Sequence, residues 1–297
     1  NGPVAFPLTD AGNGTYVLAE TNISPSNLDA LTSGEWYLNV HTTANPNGEV
    51  RGQIVPDTTA VVTFSLSGSQ EVPAVDTMAM GSGYALFDTT NNNVSLVAVT
   101  TIENATMAHI HTGFAGENGD VLVGLVESES TAGVWMTDGS IALDEATATQ
   151  LLAGGHYVNV HTAANTGGEI RGQITPDNIE VYGIIANGLQ EVPAVTTTAS
   201  GAGAFTLNTS TGALSGSVTI TGMTANMAHI HEGEMGVNGD VLIGLTAGTS
   251  GMWSVPANTT LTAEQMNVMA DGGLYTNFHS DAFPSGEIRG QITLGFD

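Results

Sequence analysis

The chain repeats itself at a spacing of about 120 residues, and this internal repeat is the feature that most constrains its fold. Self-similarity at a fixed spacing indicates tandem copies of one structural unit. Four motifs recur: QEVPAV at 70–75 and 190–195, MAHIH at 107–111 and 227–231, NGDVL at 118–122 and 238–242, and GE(I/V)RGQI from Gly48, Gly168 and Gly286. We therefore predict complete repeats at 58–177 and 178–297, preceded by the second half of another repeat at 1–57.

The segment 1–57 lacks the part of the repeat that carries the QEVPAV and MAHIH motifs. A half-sheet exposes unpaired strand edges. We expect this segment to be completed either by chain that lies upstream or by strands from a neighbouring subunit. Both alternatives stay open at the level of sequence, and the second predicts a homo-oligomer or a filament.

The pattern within each repeat is typical of short antiparallel strands. Segments such as 94–102 and 121–126 are rich in β-branched residues and are separated by clusters of Gly, Asn and Pro. One short helix per repeat is predicted at 27–32, 144–153 and 263–270, each closely followed by Gly. The predicted fold is all-β, with tandem antiparallel β-sandwich domains and one short helix in each repeat.

The composition excludes several classes of protein. The chain has 29 acidic residues against three basic ones and a net charge of −26, so it lacks the cations that nucleic-acid binding requires. It has no apolar run of about 18 residues that would span a membrane, and no cysteine for disulfides or thiolate metal sites. Because it is acidic and begins without Met, we interpret it as a mature secreted protein of the extracellular space or cell surface.

Six of the eight histidines fall into two repeated sets, which predict a metal site in each complete repeat. Side chains two apart on a strand share a face, so an H-x-H pair offers two imidazoles to one ion. Three imidazoles favour copper first and zinc second, with calcium an option if Asp120 or Asp240 contributes oxygen. A purely structural role for these histidines is the alternative. The sets are His109, His111 and His161, and His229, His231 and His279.

Other recurrent residues lie near these histidines in the sequence. Met107 and Met227 precede the pairs by two residues and are candidate thioether ligands or simple core residues. Asn159 and Asn277 could orient an imidazole or could equally be turn-end or edge-strand residues. His41 of the half repeat would bind only if a partner supplied the H-x-H pair. The three basic residues of the chain occupy one repeat position and predict structural ion pairs with the acid two residues earlier, Arg51 with Glu49, Arg171 with Glu169 and Arg289 with Glu287, or else with Glu71 and Glu191.

These motifs in this order resemble the CHRD (chordin) domain family. The resemblance covers nearly the whole chain, counting 1–57 as the second half of a copy, with a drifted element at 276–280. It implies extracellular, β-sandwich-like domains and leaves the biochemical activity open. The H-x-H-x-Gly element is also faintly similar to the copper-binding strand of Cu/Zn superoxide dismutases. That similarity stops there, because those enzymes use a fourth copper-binding His and a disulfide.

Two classes of function follow from the sequence. The first is a non-enzymatic surface, matrix or filament subunit whose repeats bind metal, which the tandem architecture and the half repeat favour. The second is a copper-dependent redox enzyme or electron-transfer module, since a three-His site with an open position can activate small ligands. An adhesion module with unmetallated histidines is a third alternative. The sequence leaves the question of enzymatic activity open and favours the first class.

Overall fold

A computed structural model describes residues 2–295. The chain divides into two compact units, Asn1–Thr59 and Ala60–Asp297. The first contains two hairpins and one helix, and the second contains both complete repeats. Within the described residues no helix has the length and apolar character that a membrane crossing would need.

The first unit has almost no core of its own, because Gly34 is its one buried residue in the described part. Its helix begins where the sequence provides a cap: the Ser24 hydroxyl accepts a hydrogen bond from Asn27 N at 3.2 Å, and Pro25 occupies the first turn. Its elements are β1 (Thr9–Gly12), β2 (Thr15–Val17), α1 (Pro25–Thr32), β3 (Tyr37–Val40) and β4 (Val50–Gln53), and β1 pairs with β2 and β3 with β4.

The first complete repeat forms one antiparallel sheet of ten strands, in the order β10-β11-β7-β6-β5-β14-β13-β8-β9 with β12 beside β7. Its elements are β5 (Thr59–Ser67), β6 (Met80–Asp88), β7 (Asn93–Thr100), β8 (Ala105–Thr112), β9 (Val121–Gly124), β10 (Val126–Glu127), β11 (Val134–Met136), β12 (Ile141–Ala142), α2 (Glu145–Leu152), β13 (His156–Thr162) and β14 (Ile170–Gln173).

The second complete repeat has the same arrangement in a nine-stranded sheet, ordered β19-β18-β22-β23-β15-β16-β17-β21-β20. Its elements are β15 (Ile179–Asn187), β16 (Ser200–Asn208), β17 (Leu214–Thr221), β18 (Met227–Glu232), β19 (Val241–Gly244), β20 (Thr246–Ala247), β21 (Met252–Ser254), α3 (Ala263–Ala270), β22 (Leu274–His279) and β23 (Ile288–Leu294).

The predicted all-β tandem fold is confirmed. Each sheet folds back on itself so that one face encloses a single apolar cluster, which makes the repeat barrel-like. The predicted helices are present within two residues of their expected bounds. Asp144 caps α2 by accepting from Thr147 N at 2.7 Å, and Thr262 forms a capping box at the start of α3.

Strand alternation determines what lies on each face of the sheet. On β8, Ala108 and Ile110 point into the core, so His109 and His111 lie on the outer face. This outer face is polar and yet buried across β13 and β14, because loops 70–75 and 113–119 cover it. Asn159, Arg171 and Gln173 are each at most 4% exposed there. We call the covered outer face of β8, β13 and β14 the polar layer.

Candidate metal centre

Three histidines converge at one end of the polar layer. His109 and His111 come from β8, and His161 comes from the neighbouring β13, where it pairs with Met107. One ring nitrogen from each histidine lies within 4.8 Å of the others, and the same holds for the second set of His229, His231 and His279. The structure therefore brings the three histidines of each predicted set together, at one site in each complete repeat.

Backbone carbonyls orient two of the three rings. His111 Nδ1 lies 3.0 Å from Gly119 O, and His161 Nδ1 lies 3.1 Å from Thr166 O. A carbonyl can only accept, so Nδ1 carries the proton in both rings and Nε2 carries the lone pair. The Nε2 of His161 faces His109 Nδ1 at hydrogen-bond distance. His111 Nε2 is buried and has no hydrogen-bond partner. A buried lone pair without a donor is the group that a bound metal would satisfy.

The nitrogen spacing also fits a metal. His109 Nδ1 is 3.1 Å from His161 Nε2, and the equivalent pair in the second repeat, His229 and His279, is 3.2 Å apart. Two nitrogens about 2.0–2.1 Å from one ion are about 2.9 Å apart at a right angle and about 3.4 Å apart at the tetrahedral angle. Burial lowers the pKa of His109, His111 and His161, so the rings are neutral at pH 7, as metal binding requires.

An aromatic stack supports His111. The Tyr157 ring lies parallel to the His111 ring, with centroids 5.0 Å apart and an interplanar angle of 9°. The Tyr157 hydroxyl accepts from Gly119 N at 3.1 Å, which holds the residue whose carbonyl orients His111. The Arg171 guanidinium also lies over the Tyr157 ring, at 3.5 Å from its centroid.

Arg171 and Gln173 tie the covering loop to the sheet. Arg171 donates to Glu117 O at 2.7 Å and to Phe114 O at 2.9 Å. Gln173 Nε2 donates to Gly113 O at 2.8 Å in the same loop, and its Oε1 accepts from Arg171 at 2.9 Å. Because loop 113–119 carries the carbonyl that orients His111, these bonds hold the ligand geometry indirectly.

The second repeat reproduces this support. Tyr275 stacks on His231 at 4.9 Å, and the Arg289 guanidinium lies 3.5 Å from the Tyr275 centroid. Arg289 donates to Glu234 O at 2.8 Å and Val237 O at 2.9 Å. Two independent copies of one arrangement show that the stack and the loop anchor belong to the repeat.

The family model for the CHRD domain matches residues 1–54, 62–174 and 182–292. The chain belongs to the CHRD domain family. The resemblance drawn from the motifs is therefore confirmed, and the three matched segments correspond to tandem CHRD repeats. A comparison with curated proteins finds no significant match.

The half CHRD repeat shows the same contacts around its single histidine and its arginine as the complete repeats do. His41 Nδ1 lies 3.0 Å from Pro46 O, as His161 Nδ1 does from Thr166 O, and the Arg51 guanidinium lies 3.5 Å from the Tyr37 centroid. His41 is exposed. Among the residues that the structure describes, groups of three metal-ligating side chains occur only in the two complete CHRD repeats.

The methionines and aspartates beside the pairs are solvent-facing. Met107 is 47% exposed and pairs in register with His161, so it is not a core residue and remains a candidate thioether ligand. Met227 is 46% exposed and pairs with His279. Asp120 and Asp240 are exposed, and neither belongs to the ligand groups found in the described part of the chain.

The asparagines act on a loop rather than on an imidazole. Asn159 Nδ2 donates to Gly167 O at 3.3 Å and to Glu71 Oε2 at 3.4 Å. Asn277 likewise donates to Glu191 Oε2 at 3.4 Å. None of these bonds reaches an imidazole. Asn159 holds the turn after β13, whose Thr166 carbonyl orients His161, and this contact is of the turn-end kind that the sequence offered as the alternative.

The arginines do not pair with the acids two residues earlier. Glu169 accepts instead from Thr162 at 2.6 Å and Thr77 at 3.0 Å, while Arg171 reaches over Tyr157 to the loop. Glu287 accepts from Thr197 at 2.7 Å while Arg289 makes the equivalent loop bonds. In the half repeat, Glu49 accepts from Thr42, and Arg51 donates to Gln53 at 3.2 Å. The guanidinium favours these contacts because they combine an aromatic face with carbonyl acceptors.

The carboxyl groups that interact electrostatically with Arg171 are those of Glu71 and Glu117. The sequence offered only Glu71 of these two, as a secondary candidate. Burial raises the pKa of Glu71 to about 7, opposed by the nearby positive charge of Arg171. Burial likewise raises the pKa of Glu191 to about 7. Sequence reasoning missed Tyr157 and Tyr275 altogether. The signal was present, since a Tyr-x-Asn-x-His alternation places all three side chains on one face of β3, β13 and β22.

Proposed function

We propose that this chain is an extracellular structural protein whose complete CHRD repeats each bind one transition-metal ion, preferably copper, through three imidazoles. The observation that carries the proposal is the convergence of three ring nitrogens in each triad, above all the buried and unpartnered Nε2 of His111 and its equivalent in His231. Ligand sets made of imidazole bind copper more tightly than the other divalent first-row metals.

A bound metal would link neighbouring strands of the sheet. It would join β8 to β13 in one repeat and β18 to β22 in the other, at positions where loops already hold the rings. Ligand that binds only the folded state stabilises it by about 2.7 kcal/mol when its concentration is 100 times Kd. Added stability is an expected benefit for a protein that, with no cysteine, has no disulfide to support it outside the cell.

The test is metal stoichiometry on the full chain, with copper(II) as the probe, read by elemental analysis and EPR. We expect two ions per chain, one in His109→Ala, and none in the His109→Ala/His229→Ala double variant. His41→Ala is the matched control, since His41 has the same local hydrogen bond outside a triad. Competition with zinc ranks the two metals. Failure to take up a stoichiometric metal, or unchanged uptake in the double variant, would overturn the proposal and favour an adhesion module without metal.

A redox role is the second candidate, favoured by the exposure of one side of the site. His109 is only half-buried and Met107 is exposed, so a metal held there would be open to small molecules. Azide added to copper-loaded protein should change the EPR spectrum if a position is open. Turnover of superoxide that disappears in the double variant and persists in His41→Ala would favour this role over a structural one.

A further inference from the structure

The two complete repeats meet through a short loop of the first that lies on the outer sheet face of the second. We call residues 114–117 and their equivalents 234–237 the tip loops. Ser217 Oγ donates to Gly116 O at 2.9 Å, and Ala115 N donates to Thr206 Oγ1 at 3.3 Å. A Cβ on Gly116 would lie 2.5 Å from Ser217 O and 2.8 Å from Ala204 N, so the fit leaves no room for a side chain.

The receiving face of this joint is made of small side chains. Ala204 and Thr206 project from β16, and Ser217 projects from the neighbouring β17. All three are buried, and so are Ala115 and Gly116 of the incoming loop. The internal joint is therefore a small-residue loop on a small, partly polar surface.

The tip loop of the second repeat is exposed and carries two apolar side chains, with the exposed Glu234 at the position of Phe114. Met235 is 76% exposed and Val237 is 53% exposed, in contrast to the buried Ala115 and Gly116 of the first tip loop. A Cβ on Gly236 would meet no atom within 4 Å. The backbone of this loop is nonetheless held from behind, because Arg289 donates to Glu234 O and Val237 O. It is a projection with an anchored backbone and two exposed apolar side chains, suited to insert into a groove.

The receiving face of the first repeat is also apolar and accessible. Tyr84, Leu86 and Val97 occupy the repeat positions of Ala204, Thr206 and Ser217, and each is partly exposed. They border a cleft of about 300 Å³ that Met136 and Gly139 also line. We call this surface of β6, β7 and β11 the groove.

The geometry points to a head-to-tail contact in which the tip loop of one copy, residues 234–237, enters the groove of a second copy. The internal joint supplies the template, and both free halves carry larger apolar side chains than it does, except that Glu234 replaces Phe114 at the start of the loop. The loop gains Met235 and Val237, while the face gains Tyr84, Leu86 and Val97, so apolar bulk on one side faces apolar bulk on the other. This inference deepens the assembly part of the proposed function and does not depend on the metal.

Such a contact joins two different surfaces, so each added copy leaves a new tip loop and a new groove free. Contacts of this kind produce rings if the rotation closes and open filaments if it does not. The partner is a second copy of this chain. A preceding segment of a longer natural chain, carrying its own tip loop, is the competing occupant of the groove.

The test is sedimentation of the full chain over a range of concentrations, in chelator, so that metal plays no part. We expect species larger than a dimer for the wild type. Met235→Asp, which alters the tip loop, and Val97→Asp, which alters the groove, should each weaken self-association by at least about tenfold. Leu189→Asp is the matched control, because Leu189 is 82% exposed and lies outside both surfaces.

Mixing the two variants gives the sharpest result. Met235→Asp keeps an intact groove and Val97→Asp keeps an intact tip loop, so an equimolar mixture should form dimers and nothing larger. Thermal unfolding of each variant verifies that it is folded. A wild type that stays monomeric, folded variants that associate like the wild type, or a mixture that stays monomeric would overturn the inference. The His109→Ala/His229→Ala variant should still associate, so loss of metal binding and loss of assembly are separate outcomes.

Discussion

Replacing Arg171 by Met tests whether the polar layer holds the metal site together. Arg171 is 1% exposed, and burial lowers its pKa to about 10, so it stays charged at pH 7. The substitution keeps an unbranched apolar stem. It removes two hydrogen bonds to the carbonyls of Phe114 and Glu117, one to Gln173, and the cation held over the Tyr157 ring.

The expected cost follows from these contacts. Each carbonyl left without its donor costs about 1–3 kcal/mol, and a desolvated cation–π contact contributes about 2 kcal/mol. Relief from the desolvation of a buried charge offsets part of this loss, and removal of one partner from a buried charged network typically costs about 3–5 kcal/mol. We expect a loss in that range for the first complete repeat. Arg51→Met, at an exposed stack, should cost about 1 kcal/mol or less.

The chain offers a convenient assay, because the half repeat and each complete repeat contain one tryptophan, Trp36, Trp135 and Trp253. Variants that retain a single tryptophan report the urea unfolding of one repeat at a time. Arg171→Met should lower the transition seen by Trp135. Copper binding at the first site should also weaken by about 10–100-fold, as expected when a group supporting a ligand is lost. A cost below about 1 kcal/mol, or unchanged copper affinity, would refute the role assigned to Arg171.

Three further predictions concern individual buried groups. His156 is fully buried with both ring nitrogens unpartnered, and Leu occupies its position in the second repeat, so His156→Leu should raise stability by about 1–3 kcal/mol in urea unfolding at pH 7. Burial lowers the pKa of His156 to about 4, so between about pH 6.5 and pH 4 the unfolded chain takes up a proton that the folded chain does not. The wild type should therefore lose stability relative to His156→Leu as the pH falls through this range. Equal losses of stability in the two proteins would contradict the prediction. Gly168→Ala should lower the free energy of unfolding by more than about 1 kcal/mol, because φ is +135° and a Cβ would lie 2.5 Å from Asn159 Nδ2. Gly167→Ala is the control and should be nearly neutral, since a Cβ there would meet nothing within 4 Å. Similar melting temperatures for the two variants would contradict the prediction. Burial raises the pKa of Glu191 to about 7, so between about pH 4.5 and pH 7 the folded state holds a proton that the unfolded state has lost. The free energy of unfolding should therefore fall by about 2–3 kcal/mol as the pH rises through this range. Glu191→Gln should remove this pH dependence from the Trp253 transition, and an unchanged slope would show that another group causes it.

The repeat and the histidine triads were predictable from sequence because both depend on short-range periodicity. An H-x-H pair shares a strand face whatever the rest of the fold does. The third histidine could be grouped with the pair because the same spacing occurred twice. The helices were also predictable, since each is closely followed by a glycine, namely Gly34, Gly154 or Gly272.

The contacts of the arginines could not be predicted in the same way. Strand periodicity places Arg171 and Glu169 on one face, but the partners of Arg171 lie on a loop more than 50 residues earlier in the chain. No local sequence pattern predicts that this loop folds over the outer face of the sheet and buries it. For the same reason, the carbonyl of Gly119 as the group that orients His111 required the tertiary structure.

The burial of Arg171 and Arg289 has a consequence for how copies of the chain approach one another. With two of three basic residues enclosed in their own repeats and a net charge of −26, each molecule has Arg51 as its one exposed basic residue among many acidic ones. Approaching copies therefore repel one another over a distance set by the ionic strength, about 10 Å in 0.1 M salt and about 3 Å in 1 M salt. A contact between apolar surfaces gains strength as this repulsion is screened, so high ionic strength should promote association of the chain and low ionic strength should reverse it.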